Sequence, residues 1–226
     1  MPAIRVGLEQ SLLTAAVEMV DRSGWGDVTV REVAGAAGVS YGAPVARFGD
    51  ELGLLAAVAE RGFLLLEQEL SAALSTAPPR TSAALPSPAV TTLGLRYVEF
   101  ALTRRHLHRA MHHPDLWARS RIRKPSSPSI ARRNAKSAAW RARAMAARDA
   151  CFARFVTAVV ADQVAGTLGE GSPGELARVV TALADGFLLQ TSDASVAERE
   201  RLDRQLTVAE RVFHWVEKGL RPEPGP

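Results

Sequence analysis

Cysteine is almost missing from the chain: Cys151 is the single one in 226 residues. That excludes an intrachain disulfide and a cysteine-based metal cluster, and it fits a reducing compartment. Long hydrophobic runs are missing too, since no stretch approaches the roughly 20 apolar residues needed to cross a bilayer. The first ten residues, MPAIRVGLEQ, have no apolar core behind a basic start, so no secretory leader is expected there. The expected location is the cytoplasm, with no membrane partner. Strand-like alternation and internal repeats are absent as well, which leaves an all-α fold. There is no G-x-S-x-G, no P-loop, no pair of carboxylates and no nucleophile beside a base, so no catalytic residue, metal or cofactor is indicated. An enzyme built on a helical scaffold need not announce itself by motif, so this counts only weakly against catalysis.

What is present is the composition of a globular protein, 47% hydrophobic with a net charge of +4, and enough length for one large core or two modest ones. The charge is strongly polarised along the chain. Residues 1–60 carry four arginines against eight acids, residues 104–148 carry thirteen Lys and Arg against Asp115 alone, and residues 149–226 carry eight against twelve. The basic footprint therefore falls in the middle of the chain.

Helical signals organise the sequence. Leu8, Leu12, Ala16, Val17 and Val20 share one face of a first helix over about Val6 to Ser23, stopped by Gly24-Trp25-Gly26-Asp27. Thr29 and Glu32 form a capping box at the start of a second helix, and Gly38 ends it. Ser40 is expected to cap a third helix running to about Phe48, with Pro44 in its first turn, and Asp50 a fourth extending to about Ser75. The Pro-, Ser- and Thr-rich stretch 75–92 is expected to be a loop. Next come a helix over Leu93 to Arg105, a shorter one ending at Pro114, and a break over Arg119 to Ser129. A long helix from near Asn134 to Gly166 follows. Ser172-Pro173 with Glu175, and Ser195 with Glu198, open two more helices, the last ending near Leu220.

Two short helices around a glycine turn, between Thr29 and Phe48, make a helix-turn-helix. With its surroundings this segment resembles the TetR family of transcriptional regulators. The resemblance rests on Ala15 and Ala16, Gly24 before Thr29, Val33-Ala34, Ala37-Gly38-Val39-Ser40, Gly42, Phe48 and Leu54-Leu55. Gly42-Ala43-Pro44 and residues 55–63 look like the subgroup with a WHG-type C-terminal domain, and Tyr97 to Leu102 and Arg109-Ala110-Met111 resemble it more weakly. The resemblance implies a three-helix DNA-binding head over residues 1–50 and a larger helical ligand-binding and dimerisation domain over 51–226. The implied partners are a palindromic double-stranded DNA operator, a small hydrophobic or amphipathic effector, and a second copy of the chain.

At the head, Thr29, Arg31, Ser40, Tyr41, Gly42, Ala43 and Arg47 are the residues offered to phosphates and base edges. The chain departs from the family pattern at three places. Val45 stands where a phosphate-contacting Tyr is usual, Glu51 where a Lys is usual, and Thr181 and Asp185 occupy the Trp and His positions of the WHG signature, with Gly186 retained. Removing a phosphate-binding group lowers DNA affinity and flattens its salt dependence. The opposing reading is a TetR-like protein that has lost operator binding and uses its cavity for ligand binding or catalysis, or its basic segment for a partner.

Tyr97, Phe100, Met111, Trp117, Trp140, Phe152, Phe155 and Phe187 are the candidate cavity lining, and ordinary core is the alternative role for such a stripe. Asp185 on an apolar helix is either a buried carboxylate able to act on a ligand or a solvent-facing one. Leu202, Leu206, Ala209, Val212, Phe213 and Val216 share a helical face suited to a dimer interface. His108 and His112 lie one turn apart, a spacing that can hold a metal, but without nearby carboxylates beyond Asp115 a structural role is favoured. For the arginine-rich run from Arg119 to Arg148 the expectations are a solvated helix face and loop, an auxiliary DNA contact, or a site for an anionic ligand or acidic partner.

Overall fold

A computed structural model describes residues 2–75, 88–118, 126–190 and 198–220. Among them the fold is all-α: helices α1 (Pro2–Ser23), α2 (Val30–Ala36), α3 (Gly42–Phe48), α4 (Glu51–Ser75), α5 (Ala89–Thr103), α6 (Arg105–Met111), α7 (Pro114–Trp117), α8 (Pro128–Val164), α9 (Pro173–Gln190) and α10 (Glu198–Leu220). A 3-10 turn, Trp25–Asp27, links α1 to α2.

The local signals account for most boundaries. Thr29 Oγ1 accepts the Glu32 N–H at 3.2 Å while the Glu32 carboxylate accepts the Thr29 N–H at 3.0 Å, completing the capping box of α2. Gly38, at φ 66°, turns the chain out of α2 in a left-handed conformation that a side chain would resist. The Asp50 carboxylate accepts the Gly53 N–H at 2.8 Å and caps α4. Pro173 is the first residue of α9. Ser195, expected to cap α10, lies outside the described residues.

Four boundaries differ from expectation, each for an identifiable reason. Ser40 does not cap α3. Tyr41 stands at the N-cap, already helical at φ −50° and ψ −33°, and no side chain closes the end; the Ser40 carbonyl instead accepts the Ala43 N–H at 2.9 Å. Pro114 opens α7 rather than ending a helix, because its locked φ suits a first helical position and His113 accepts the Asp115 N–H. Helix α8 starts at Pro128, ahead of Asn134, because the Ser127 hydroxyl accepts the Ile130 N–H at 3.3 Å and Pro128 again takes the first position. Helix α5 starts at Ala89, inside the stretch expected to be a loop. Its first N–H groups are capped from far along the chain: the buried Asp162 carboxylate accepts Ala89 N–H at 2.8 Å and Val90 N–H at 2.9 Å.

The chain forms two compact units. One comprises residues 1–65 with 104–149, the other 66–103 with 150–226. In the first, Leu12, Val20, Val33, Phe48, Leu54, Leu107, Met111 and Leu116 are completely or almost completely buried. In the second, Leu70, Leu93, Val98, Val159, Ala184 and Phe213 form the core. Burying a side chain of this size stabilises by about 1.5–3 kcal/mol.

Candidate functional site

In the first unit, α2, its glycine turn and α3 form the helix-turn-helix. An open cleft of about 580 Å³ at its surface is lined by Thr29, Val30, Arg31, Tyr41 and Glu51. Three of the residues expected to face DNA thus meet at one place. Tyr41 is 64% exposed, its ring and hydroxyl open to the cleft. Ser40 and Gly42 are exposed beside it and Ala43 is half-buried. Val45, also half-buried, provides no polar group.

The same surface carries features working against an anion. Glu51, exposed at the start of α4, places a carboxylate in the cleft. The Thr29 hydroxyl donates to the Glu32 carboxylate at 2.7 Å, so a phosphate must compete with the capping box. That donation holds the Glu32 carboxyl below its ordinary range, the backbone N–H of Thr29 adding to the effect. Arg47 pairs with Glu9 of α1 at 3.1 Å, both side chains being half-buried.

The start of α8 belongs to this unit and packs on the end of α3. A Cβ at Gly49 would overlap the Arg133 carbonyl oxygen and stand 3.0 Å from the Ser137 nitrogen, and Gly49 itself sits at φ 92°. Trp140 is buried against Phe48, ring centroids 5.3 Å apart, and the Arg143 guanidinium lies 4.0 Å above the Trp140 ring. Trp140 therefore fastens α8 to the helix-turn-helix. Trp117 and Met111 also lie in this unit. Trp117 Nε1 donates to the Met111 carbonyl at 3.2 Å, Arg148 stacks on its ring at 4.4 Å, and Phe63 packs edge-on at 6.2 Å. These three candidate lining residues thus belong to the first unit and the remaining six to the second.

In the second unit the Tyr97 hydroxyl donates to the Asp185 carboxylate at 2.8 Å, joining α5 to α9. Burial, chiefly, and then the Asp185 charge raise the Tyr97 hydroxyl well above its ordinary pKa of 10.0. Phe155 packs on Tyr97 edge-on at 6.4 Å. Phe100 is buried, Phe187 is half-buried, and Phe152, also half-buried, has the Arg178 guanidinium 5.9 Å from its ring centroid. Burial pushes the Cys151 thiol up to about 12, with the Glu67 charge adding to it, which makes it a poor nucleophile at neutral pH.

Of the candidate interface residues on α10, Ala209 and Phe213 are buried within the single chain, the Phe213 ring filling the space where a side chain at Gly94 would go. Leu202, Leu206, Val212 and Val216 are half-buried. Val179 on α9 and Val208 on α10 are 50% and 48% exposed and were not indicated by the helical spacing. An apolar period marks a face, but it does not say which neighbour covers it.

His108 and His112 stack with ring centroids 4.5 Å apart, and His112 packs on Phe63 at 5.8 Å. Burial, aided by His112 and Arg109, lowers the His108 pKa to about 3. No group of three or more His, Cys, Asp or Glu among the described residues could hold a metal ion. No helix among them is long and apolar enough to cross a membrane.

These elements match solved structures along almost their whole length. A TetR-family transcriptional regulator from Pectobacterium atrosepticum aligns with a TM-score of 0.64 at 19% identity, over 98% of this chain and 99% of its own. The fold is that of the TetR-family regulators. PfmR, a TetR-family transcriptional regulator from Thermus thermophilus, aligns at 0.61 with 16% identity, over 93% and 99% of the two chains. A protein of unknown function from Rhodococcus sp. RHA1 aligns at 0.62 with 25% identity, over 95% and 96%. No protein-family model and no curated protein matches the sequence.

Proposed function

We propose that the protein is a TetR-like transcriptional repressor. In this reading a homodimer binds a palindromic DNA operator in the cytoplasm and is released by a small hydrophobic or amphipathic ligand. Residues 1–50 act as the reading head, and 51–226 supply ligand binding and dimerisation. The observation that carries the reading is the convergence of Thr29, Arg31 and Tyr41 on one cleft of a helix-turn-helix whose glycine turn and α2 capping box are intact. A helix-turn-helix places the first residues of its second helix against base edges, and here those are the exposed Tyr41 and Gly42. Support for a ligand site comes from the aromatic pair of Tyr97 and Phe155, with Asp185 as its polar group. The apolar residues Val179 and Val208, exposed on α9 and α10, supply surface for a second copy. Membership of the WHG-type subgroup rests on the sequence pattern alone, with Thr181 and Asp185 at its Trp and His positions.

The test is binding of the purified protein, at moderate salt, to DNA from upstream of its own gene, together with selection from fragmented genomic DNA. The expected result is a shift of the upstream fragment and enrichment of one palindrome. No shift and no enrichment would remove the regulator reading. The carboxylate of Glu51 in the cleft and the pairing of Arg47 with Glu9 favour that second outcome, which would leave ligand binding as the function. A molecular mass equal to one chain at every concentration would contradict the dimer.

A further inference from the structure

The acidic head acquires its positive charge from elsewhere in the chain. Residues 1–60, which contain the helix-turn-helix, are net negative by themselves, but the compact unit containing them also takes in residues 104–149. Counted over that whole unit there are eighteen Lys and Arg against ten Asp and Glu, a net +8, while the other unit has ten against fourteen, a net −4. A net charge of this size on the unit that holds the helix-turn-helix is the electrostatic footprint expected of a nucleic-acid-binding surface.

Several of the described cations in 104–148 have partners within the protein. Arg104 is paired with Asp21 at 2.6 Å, Arg141 donates to the Leu116 and Ala118 carbonyls, Arg143 pairs with Glu60, and Arg148 stacks on Trp117. The first turns of α8 present a cluster of cations at the surface. Arg132, Arg133 and Lys136 are all exposed. Their helix is held hard against the end of α3: Gly49 has no room for a Cβ beside Arg133 and Ser137, Ser137 is buried, and Trp140 packs on Phe48. The Lys136 ammonium donates to the Ala46 carbonyl, near the C-terminal end of α3.

Scale connects this placement to DNA. Helix α3 has seven residues, which span about 10 Å at 1.5 Å per residue, whereas the major groove is about 12 Å wide. A cation at the far end of α3 is therefore within one groove width of the base-reading end, where the sugar-phosphate backbone borders the groove. Guanidinium groups recognise phosphate oxygens through paired N–H donors.

We propose that Arg132, Arg133 and Lys136, at the start of α8, form a second DNA-backbone-binding surface that supplies the phosphate binding Val45 and Glu51 do not. The partner is the phosphate backbone of duplex DNA, so the surface adds affinity and salt dependence without adding sequence preference. The proposal rests on the DNA-binding reading above.

The experiment measures binding of the full-length protein to duplex DNA by fluorescence anisotropy across a salt series. It uses the selected fragment and an unrelated duplex, with the wild type, an Arg132→Gln/Arg133→Gln variant, a Lys136→Gln variant, and a Lys218→Gln control near the end of α10. Each neutralised phosphate contributes about 0.9 to the slope of log affinity against log salt. With two copies of the surface in the dimer, the α8 double variant is expected to reduce that slope by about 3.6 on both duplexes, the Lys136 variant by about 1.8, and the control not at all. Circular dichroism and melting confirm that the exposed substitutions leave the fold intact. Wild-type binding with an unchanged slope in the α8 variants, or an equal reduction in the control, overturns the second surface and leaves the regulator reading standing. Failure of the wild type to bind any duplex at low salt overturns both.

Discussion

Tyr97 and Asp185 lie 88 residues apart in sequence, yet the Tyr97 hydroxyl donates to the Asp185 carboxylate at 2.8 Å. The bond joins α5 to α9 and gives the aromatic cluster around Phe155 its polar centre. Replacing Tyr97 by Phe leaves the half-buried carboxylate without this donor, and a loss of about 1–3 kcal/mol is expected. The pH dependence follows from the raised Tyr97 pKa. The unfolded chain ionises near the ordinary 10.0 and the folded one only well above it, so the associated stability is complete below pH 10 and declines as the pH climbs further. Urea unfolding of wild type and Tyr97→Phe between pH 8 and 11 checks this: the alkaline decline should be shallower in the variant.

The stacked pair His108 and His112 predicts an acid limb. The folded His108 pKa is lowered to about 3 from 6.5. The unfolded chain therefore takes up a proton through pH 6.5 that the folded one refuses until about pH 3. The stability from this group is present above pH 6.5 and is lost as the pH falls through that window, at up to about 1.4 kcal/mol per pH unit. A His108→Gln variant should show a flatter stability profile from pH 6.5 to 4 than the wild type, and equal profiles would refute the assignment.

Gly49 joins the helix-turn-helix to α8. An Ala there faces a left-handed φ of 92° and overlap with the Arg133 carbonyl oxygen. Backbone strain and overpacking together should cost roughly 2–5 kcal/mol. Because Trp140 is buried against Phe48, its fluorescence should shift to the red if α8 lifts away, and a lower melting temperature should accompany the shift.

Glu51 sits in the cleft with Thr29, Arg31 and Tyr41. Glu51→Lys removes a repulsive charge and adds a phosphate donor in each protomer, so DNA affinity should rise and the salt slope of the dimer steepen by about 1.8. Anisotropy titrations at several salt concentrations decide it. Unchanged affinity would show that the head does not approach the backbone at α4.

Much of the helix order could be read from the sequence because its signals act over three or four residues. The Thr29–Glu32 box, the Asp50 cap and Pro173 all work on backbone groups within one turn of themselves. The Ser40 cap failed on equally local ground: Tyr41 stands at the N-cap with no side-chain bond, and Ser40 contributes its carbonyl, which accepts the Ala43 N–H. The start of α5 could not be read, because the carboxylate that caps it, Asp162, lies more than 70 residues away. The packing partners of the candidate lining residues could not be read for a similar reason. Periodicity assigns Trp140 and Phe155 to α8 without indicating that one packs on Phe48 and the other on Tyr97.

By itself the sequence determined the helical class, the helix-turn-helix and most of its caps, since those depend on side chains bonding backbone within a turn. Tertiary structure alone decided which unit owns the basic stretch, because charge becomes a surface only after distant segments pack. The 1–60 segment is acidic as a string of residues. Packed with α6, α7 and the start of α8, it belongs to a unit of net charge +8, with Arg132, Arg133 and Lys136 exposed near the end of α3. Close packing at Gly49 and burial of Trp140 bring them there, and neither contact has a signature in local sequence.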